Sequence, residues 1–112
     1  MIKPTNFEIK RSGQAPAAKL EVLGELDMRN TDQLTASLDE LLADGASEVT
    51  VDLSQLSFMD SSGLRWLIEV NRRSQEETWH LRLIAPAREA AALVLQVTGA
   101  DKALPFAEAT GP

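Results

Sequence analysis

Apolar and polar residues alternate twice at the start of the chain. Phe7-Glu8-Ile9-Lys10 has the period of two expected of a half-buried strand. Ala18 to Asp27 alternates again, with Leu20, Val22, Gly24 and Leu26 on one face and Lys19, Glu21, Glu25 and Asp27 on the other. Leu23 is the exception. Ser12, Gly13 and Pro16 between the two runs read as a hairpin loop, so the chain is expected to open with an antiparallel pair. The period then lengthens. Leu34, Leu38, Leu41 and Leu42 lie at i, i+4, i+7 and i+8 and predict an amphipathic helix. Asn30 is its expected N-cap, with Gln33 completing a variant capping box. Asp32 suits the positive first turn, and Gly45 the left-handed position after the last turn.

Glu48 to Leu53 predicts the next strand, with Val49, Val51 and Leu53 pointing one way and Thr50 and Asp52 the other. Ser54 to Asp60 reads as a loop. A second helix is predicted from Ser61 to about Arg73, with Leu64, Trp66, Leu67, Ile68 and Val70 on its apolar arc and Trp66 at the edge. Ser74 to Thr78 is polar and loop-like. His80 to Ala85 predicts a strand, and Pro86 opens a third helix, where its missing N–H costs little. Ala90, Leu93, Val94 and Val97 are its expected buried stripe, and Gly99 closes it. Leu104-Pro105-Phe106 is read as a short last edge strand. The order β-β-α-β-α-β-α-(β) predicts an α/β fold: a single domain with a mixed β-sheet, parallel at its centre, packed against helices. The domain is expected to take in residues 1–112, with a core of about 5–107 and a frayed tail at 108–112.

Composition narrows the chemistry. A chain of 112 residues that is 44% hydrophobic and 25% charged has enough apolar material for one core. The formal net charge of −6 disfavours nucleic acid or an anionic membrane as partner. There is no cysteine, which excludes disulfides, thiolate metal sites and cysteine nucleophiles. One histidine, His80, excludes a multi-histidine metal site, so neither metal nor cofactor is expected. The first residues hold no apolar signal-peptide core, and no apolar run is long enough to span a membrane; the expected location is the cytoplasm.

The segment with chemical potential is Asp60-Ser61-Ser62-Gly63, between a strand and a helix start. The first N–H groups of a helix lack partners within it. Ser61 or Ser62 can cap them, Asp60 suits the positive dipole end, and Gly63 allows close approach. The plain reading is a helix cap. The sharper one is a phosphoryl acceptor: a hydroxyl at an accessible helix start would gain about −1.5 to −2 of charge on modification. The helix end tolerates such a charge, whereas Asp27, Asp60 or an acidic partner surface does not. Elsewhere the simpler roles lead. His80 lacks the partners of a catalytic triad. Asp27 and Asp60 read as interface and cap residues more than as an acid/base pair. Trp66 is either a partner anchor or a core-edge residue. Arg72-Arg73 reads as a solvated helix end.

The stretch Asp52-Leu53-Ser54-Gln55-Leu56-Ser57-Phe58-Met59-Asp60-Ser61-Ser62-Gly63-Leu64 closely resembles the signature of the STAS domain family, found in sulphate transporters and anti-sigma factor antagonists. Gly24-Glu25-Leu26-Asp27 resembles the family's second-strand motif, and Val97-Thr98-Gly99-Ala100 its motif at the end of the last major helix. The resemblance covers about residues 5–107. It implies a regulatory binding module and not an enzyme: a bacterial anti-anti-sigma factor, a phosphoprotein acting by partner switching in stress response and transcription regulation. Ser61 matches the serine that an anti-sigma factor serine kinase phosphorylates. The unmodified form binds that kinase and frees the sigma factor, the phosphorylated form lets go, and a PP2C-type phosphatase resets it. Asp27 matches a residue that contacts the kinase. Asp60 and Ser62 match the positions flanking the acceptor, and Gly63 the motif glycine. With Met28 and Trp66 they make the expected partner-binding set. The alternative from the same resemblance is a cytoplasmic STAS subunit of a lipid-transport ABC complex, without a phosphoswitch. Nucleotide binding ranks lower, because no Gly-rich phosphate loop is present.

Overall fold

The computed structural model describes residues 6–107; the tail at 108–112 lies outside them. β1 (Phe7–Gln14) and β2 (Ala17–Leu26) form the opening hairpin, paired antiparallel from Phe7 opposite Gly24 to Gln14 opposite Ala17. There follow α1 (Thr31–Ala43), β3 (Glu48–Asp52), β4 (Leu56–Met59), α2 (Ser61–Glu77), β5 (His80–Ile84), α3 (Glu89–Thr98) and α4 (Ala100–Ala103). The sheet order is β1-β2-β3-β5, parallel after the hairpin, and β4 pairs parallel with the last part of β2. The predicted α/β class and mixed sheet hold, with two short elements added. The last edge strand is reduced to one parallel bridge, Phe106 beside Leu83.

Alternation in the strands is realised as burial. Ala18, Leu20, Val22 and Leu26 of β2, with Val49 and Val51 of β3, face the core, and Leu34, Leu38 and Leu41 of α1 pack into it. Gly45 closes α1 as a Schellman turn: at φ +101° it donates to the Leu42 carbonyl, and Ala46 donates to that of Leu41.

Four expectations are corrected. First, Ser54–Asp60 is not all loop; Leu56–Met59 is β4, with Leu56 and Met59 buried. Its burial is not alternating because a register irregularity beside Gly24 interrupts its pairing with β2. Second, α2 runs on through Glu77. Arg72 pairs with Glu69 and Glu76, and Arg73 with Glu77 and with Asp39 of α1, so these arginines are mid-helix and engaged. Ile68 lies on the exposed side of α2. Third, α3 starts at Glu89, after Pro86, and buries Ala91 and Leu95 while Leu93 and Val97 are exposed. A run as uniformly apolar as Ala90-Ala91-Ala92-Leu93-Val94-Leu95 carries no phase, so packing chooses the face. Fourth, Asn30 makes no side-chain cap bond to α1. Its amide instead closes the β2–α1 turn, accepting from the Asp27 N–H at 3.0 Å and donating to the Glu25 carbonyl at 2.8 Å.

Asp52 is a buried carboxylate at the end of β3. Burial pushes its pKa up, but bonds from Ser54 and the Lys19 ammonium 3.3 Å away outweigh it and leave the carboxyl below its usual value of 3.8. A lowered folded-state pKa contributes stability above the unfolded value and loses it as pH falls through the folded one. Asp52→Asn is therefore expected to flatten the loss of stability between pH 5 and pH 3, read by urea unfolding at each pH. An unchanged pH profile would contradict this account of Asp52.

Candidate functional site

The site lies at the carboxyl ends of β2 and β4. Leu26 is paired with Met59, and the Asp60 N–H donates to the Leu26 carbonyl at 3.3 Å, so Asp27 and Asp60 leave the sheet side by side. The strand that delivers the serines to Asp27 is β4, read from sequence as loop. In sheets of this kind the carboxyl edge is the usual binding side. His80 begins β5 and so sits at the opposite edge, with its backbone N–H bonded to the Ser47 carbonyl at 2.8 Å.

Asp60, not a serine, caps α2. Its Oδ1 accepts from the Ser62 N–H at 2.9 Å and from the Gly63 N–H at 3.4 Å. Ser61 is then the first helical residue. It is exposed, and its hydroxyl makes no hydrogen bond among the described residues. Ser62 is half-buried. Gly63 is buried: a Cβ there would stand 2.6 Å from Met59 Cγ and 3.1 Å from Leu26 Cδ2. The motif glycine thus lets the first turn of α2 lie directly on the ends of β4 and β2, a packing role and not an exposed contact. Asp60→Ala is expected to cost about 1 kcal/mol through loss of the cap, seen as a lower urea midpoint. Ser61→Ala should leave that midpoint in place; the reverse pattern would mean that the serine is the cap.

Around this helix start the residues separate by exposure. Met28 is 76% exposed on the β2–α1 turn. Trp66 is 7% exposed and donates its indole N–H to Thr35 Oγ1 at 2.8 Å, so of its two expected roles the structure shows the core-edge one, joining α2 to α1. Met28, Thr35, Ser62, Arg65 and the edge of Trp66 line a shallow open groove between the two helices. Asp27 is held by Arg29, with Nη2 at 2.6 Å from Oδ2 and Nε at 3.0 Å from Oδ1. That bond holds the Asp27 carboxyl below its ordinary value, against a smaller opposing effect of burial. Arg29 is absent from the expected partner-binding set. Its signal was present, a cation two residues past a candidate interface carboxylate, but only the turn closed by Asn30 folds it back.

An α/β domain with an exposed serine at a strand-to-helix junction, on the carboxyl edge of its sheet, is what the fold and the site define. The family model described as Mlab, STAS domain matches residues 9–106, and the chain belongs to the STAS domain family. Among solved structures it is similar to an anti-sigma factor antagonist from Mycobacterium paratuberculosis (TM-score 0.78, 23% identity, 98% of this chain and 92% of that chain). It is also similar to the anti-sigma factor antagonist SpoIIAA in its unphosphorylated form (0.72, 22%, 93% and 88%) and to Bacillus SpoIIAA in the phosphorylated form (0.66, 22%, 93% and 91%). At these identities the likeness establishes the fold. No curated protein matches the chain. Among the described residues no helix is long and apolar enough to cross a membrane.

Proposed function

We propose that this chain is an anti-sigma factor antagonist whose binding to an anti-sigma factor serine kinase is switched by phosphorylation of Ser61. The observation that carries the reading is the exposed hydroxyl of Ser61, free of hydrogen bonds among the described residues and on the same sheet edge as Asp27 and Met28. Structural neighbours among the anti-sigma factor antagonists support it, one of them, SpoIIAA, known in both phosphorylated and unphosphorylated forms. In the switch, the γ-phosphoryl group of ATP moves to Ser61 Oγ, the hydroxyl proton is lost and ADP leaves. A phosphatase returns the hydroxyl by hydrolysis. The chain acts here as substrate and binding partner, and no catalytic role is assigned to its own residues.

The test is capture from source lysate with the unmodified protein and with the protein carrying phosphoserine at position 61, followed by identification of the captured chains. The reading expects a serine kinase on the unmodified protein and its absence from the modified one. That kinase, with ATP, should modify Ser61, located by mass spectrometry. Recovery of an ATPase with a permease, equally from both forms, would sink the switch and assign the chain to a transport complex.

A further inference from the structure

We propose that Arg29, on the β2–α1 turn, and Arg65, one turn into α2, form this chain's own receptor for a phosphate on Ser61, and that Arg29 leaves Asp27 for that phosphate. The inference rests on Ser61 being the acceptor and adds what happens inside the chain once it is modified.

The helix start cannot hold the phosphate by itself. Its free N–H donors are the usual anion site, but here the Asp60 carboxylate already accepts from Ser62 and Gly63. With those two donors taken, the phosphate draws its further donors from side chains, and the β2–α1 turn and α2 each carry a guanidinium group. Arg65 is four residues on from Ser61, the spacing that places side chains together on one helix face. It is exposed and makes no ion pair among the described residues, whereas Arg72 and Arg73 are both engaged by carboxylates. Arg29 stands on the other side. It is 60% exposed and anchored to Asp27, the residue that leaves β2 beside Asp60. It also lies 4.0 Å from Glu25. Its bond to Asp27 first, and the charges of Asp27, Glu25 and Asp60 after it, hold its guanidinium above its ordinary value. It is therefore the cation serving a group of carboxylates.

A phosphate brings more charge than a carboxylate and three acceptor oxygens, and guanidinium binds it bidentately. Placed beside Asp60, it outcompetes Asp27 for Arg29. The exchange alters the docking edge at two points, adding a dianion at Ser61 and freeing the Asp27 carboxylate.

The test uses the full chain with phosphoserine installed at position 61 during translation, so it needs no kinase and its outcome is separable from that of the capture experiment. The second ionisation of the phosphate is followed by 31P NMR, and the Arg29 side-chain Nε–H by 15N NMR. Arg29→Ala and Arg65→Ala are each expected to raise the phosphate's second pKa by about half a pH unit, the order of one exposed ion pair. The Arg29 Nε–H resonance should move on modification, while Arg29→Lys keeps only part of the effect. A phosphate that titrates identically with and without Arg29, or an Arg29 resonance blind to the modification, overturns the exchange. An effect of Arg65→Ala alone overturns it too.

Discussion

Phosphoserine at position 61 is expected to weaken binding to the captured kinase by more than a hundredfold, with Ser61→Ala binding like the unmodified protein and Ser61→Asp between the two. A hundredfold is about 3 kcal/mol. That is the order of cost for leaving a charged group desolvated without enough compensation in a contact. The alanine variant is a clean control. Ser61 is exposed, its hydroxyl bonds to nothing among the described residues, and Asp60 supplies the cap, so removing the hydroxyl leaves the fold intact. The aspartate variant carries less charge and fewer acceptors than a phosphate, so roughly a tenfold loss is expected of it. Calorimetric titration of the three forms against the purified kinase checks the order. Equal affinities would remove the switch and leave the carboxyl edge as a constitutive docking surface.

The elements legible in the sequence are those whose environment is one-sided. β2 and β3 each lie between a core face and a more polar face, so alternation reports them directly. α1 packs one stripe, and its leucines mark it. What escaped has a specific cause in each case. β4 is four residues long and meets β2 across an irregular register, so Leu56 and Met59 are buried three apart and mimic no strand. The last turns of α2 contain Ser74-Gln75-Glu76-Glu77, with no apolar residue to extend the stripe. Ser74 is nonetheless buried, and arginines one turn back hold Glu76 and Glu77. The site was legible to the extent that it is contiguous: Asp60 to Gly63 could be found as a string. Its arrangement was not, because Asp27 reaches Asp60 through β4, and Arg29 reaches Asp27 through the turn closed by Asn30.

Gly24→Ala should be among the most damaging single substitutions in the chain, because the edge depends on that residue. At Gly24 the backbone takes φ +93°, which penalises any side chain, and an added Cβ would collide with the Asn6 carbonyl oxygen. That oxygen accepts the Glu25 N–H at 2.8 Å, so neither backbone can move aside without breaking the bond. The left-handed conformation costs about 1 to 2 kcal/mol and the forced contact about as much again, roughly 3 kcal/mol together. For a domain of this size that lowers the melting temperature by roughly 12 to 24 °C. Gly99→Ala is the internal comparison: it shares the positive φ, +79°, but has nothing within 4 Å of the new methyl group. It should lose about 1 kcal/mol. Urea denaturation of both variants separates conformation from collision, and equal midpoints would show that the Asn6 contact is soft. The position matters beyond stability. β2 pairs with β3 up to Glu21 and with β4 from Gly24, so this glycine stands where the strand changes neighbours. A side chain that pushes the Asn6 backbone away strains the exchange that sets Asp27 beside Asp60. Gly24→Ala protein that still folds should therefore bind the kinase less tightly than Gly99→Ala, although no atom of Gly24 need touch the partner.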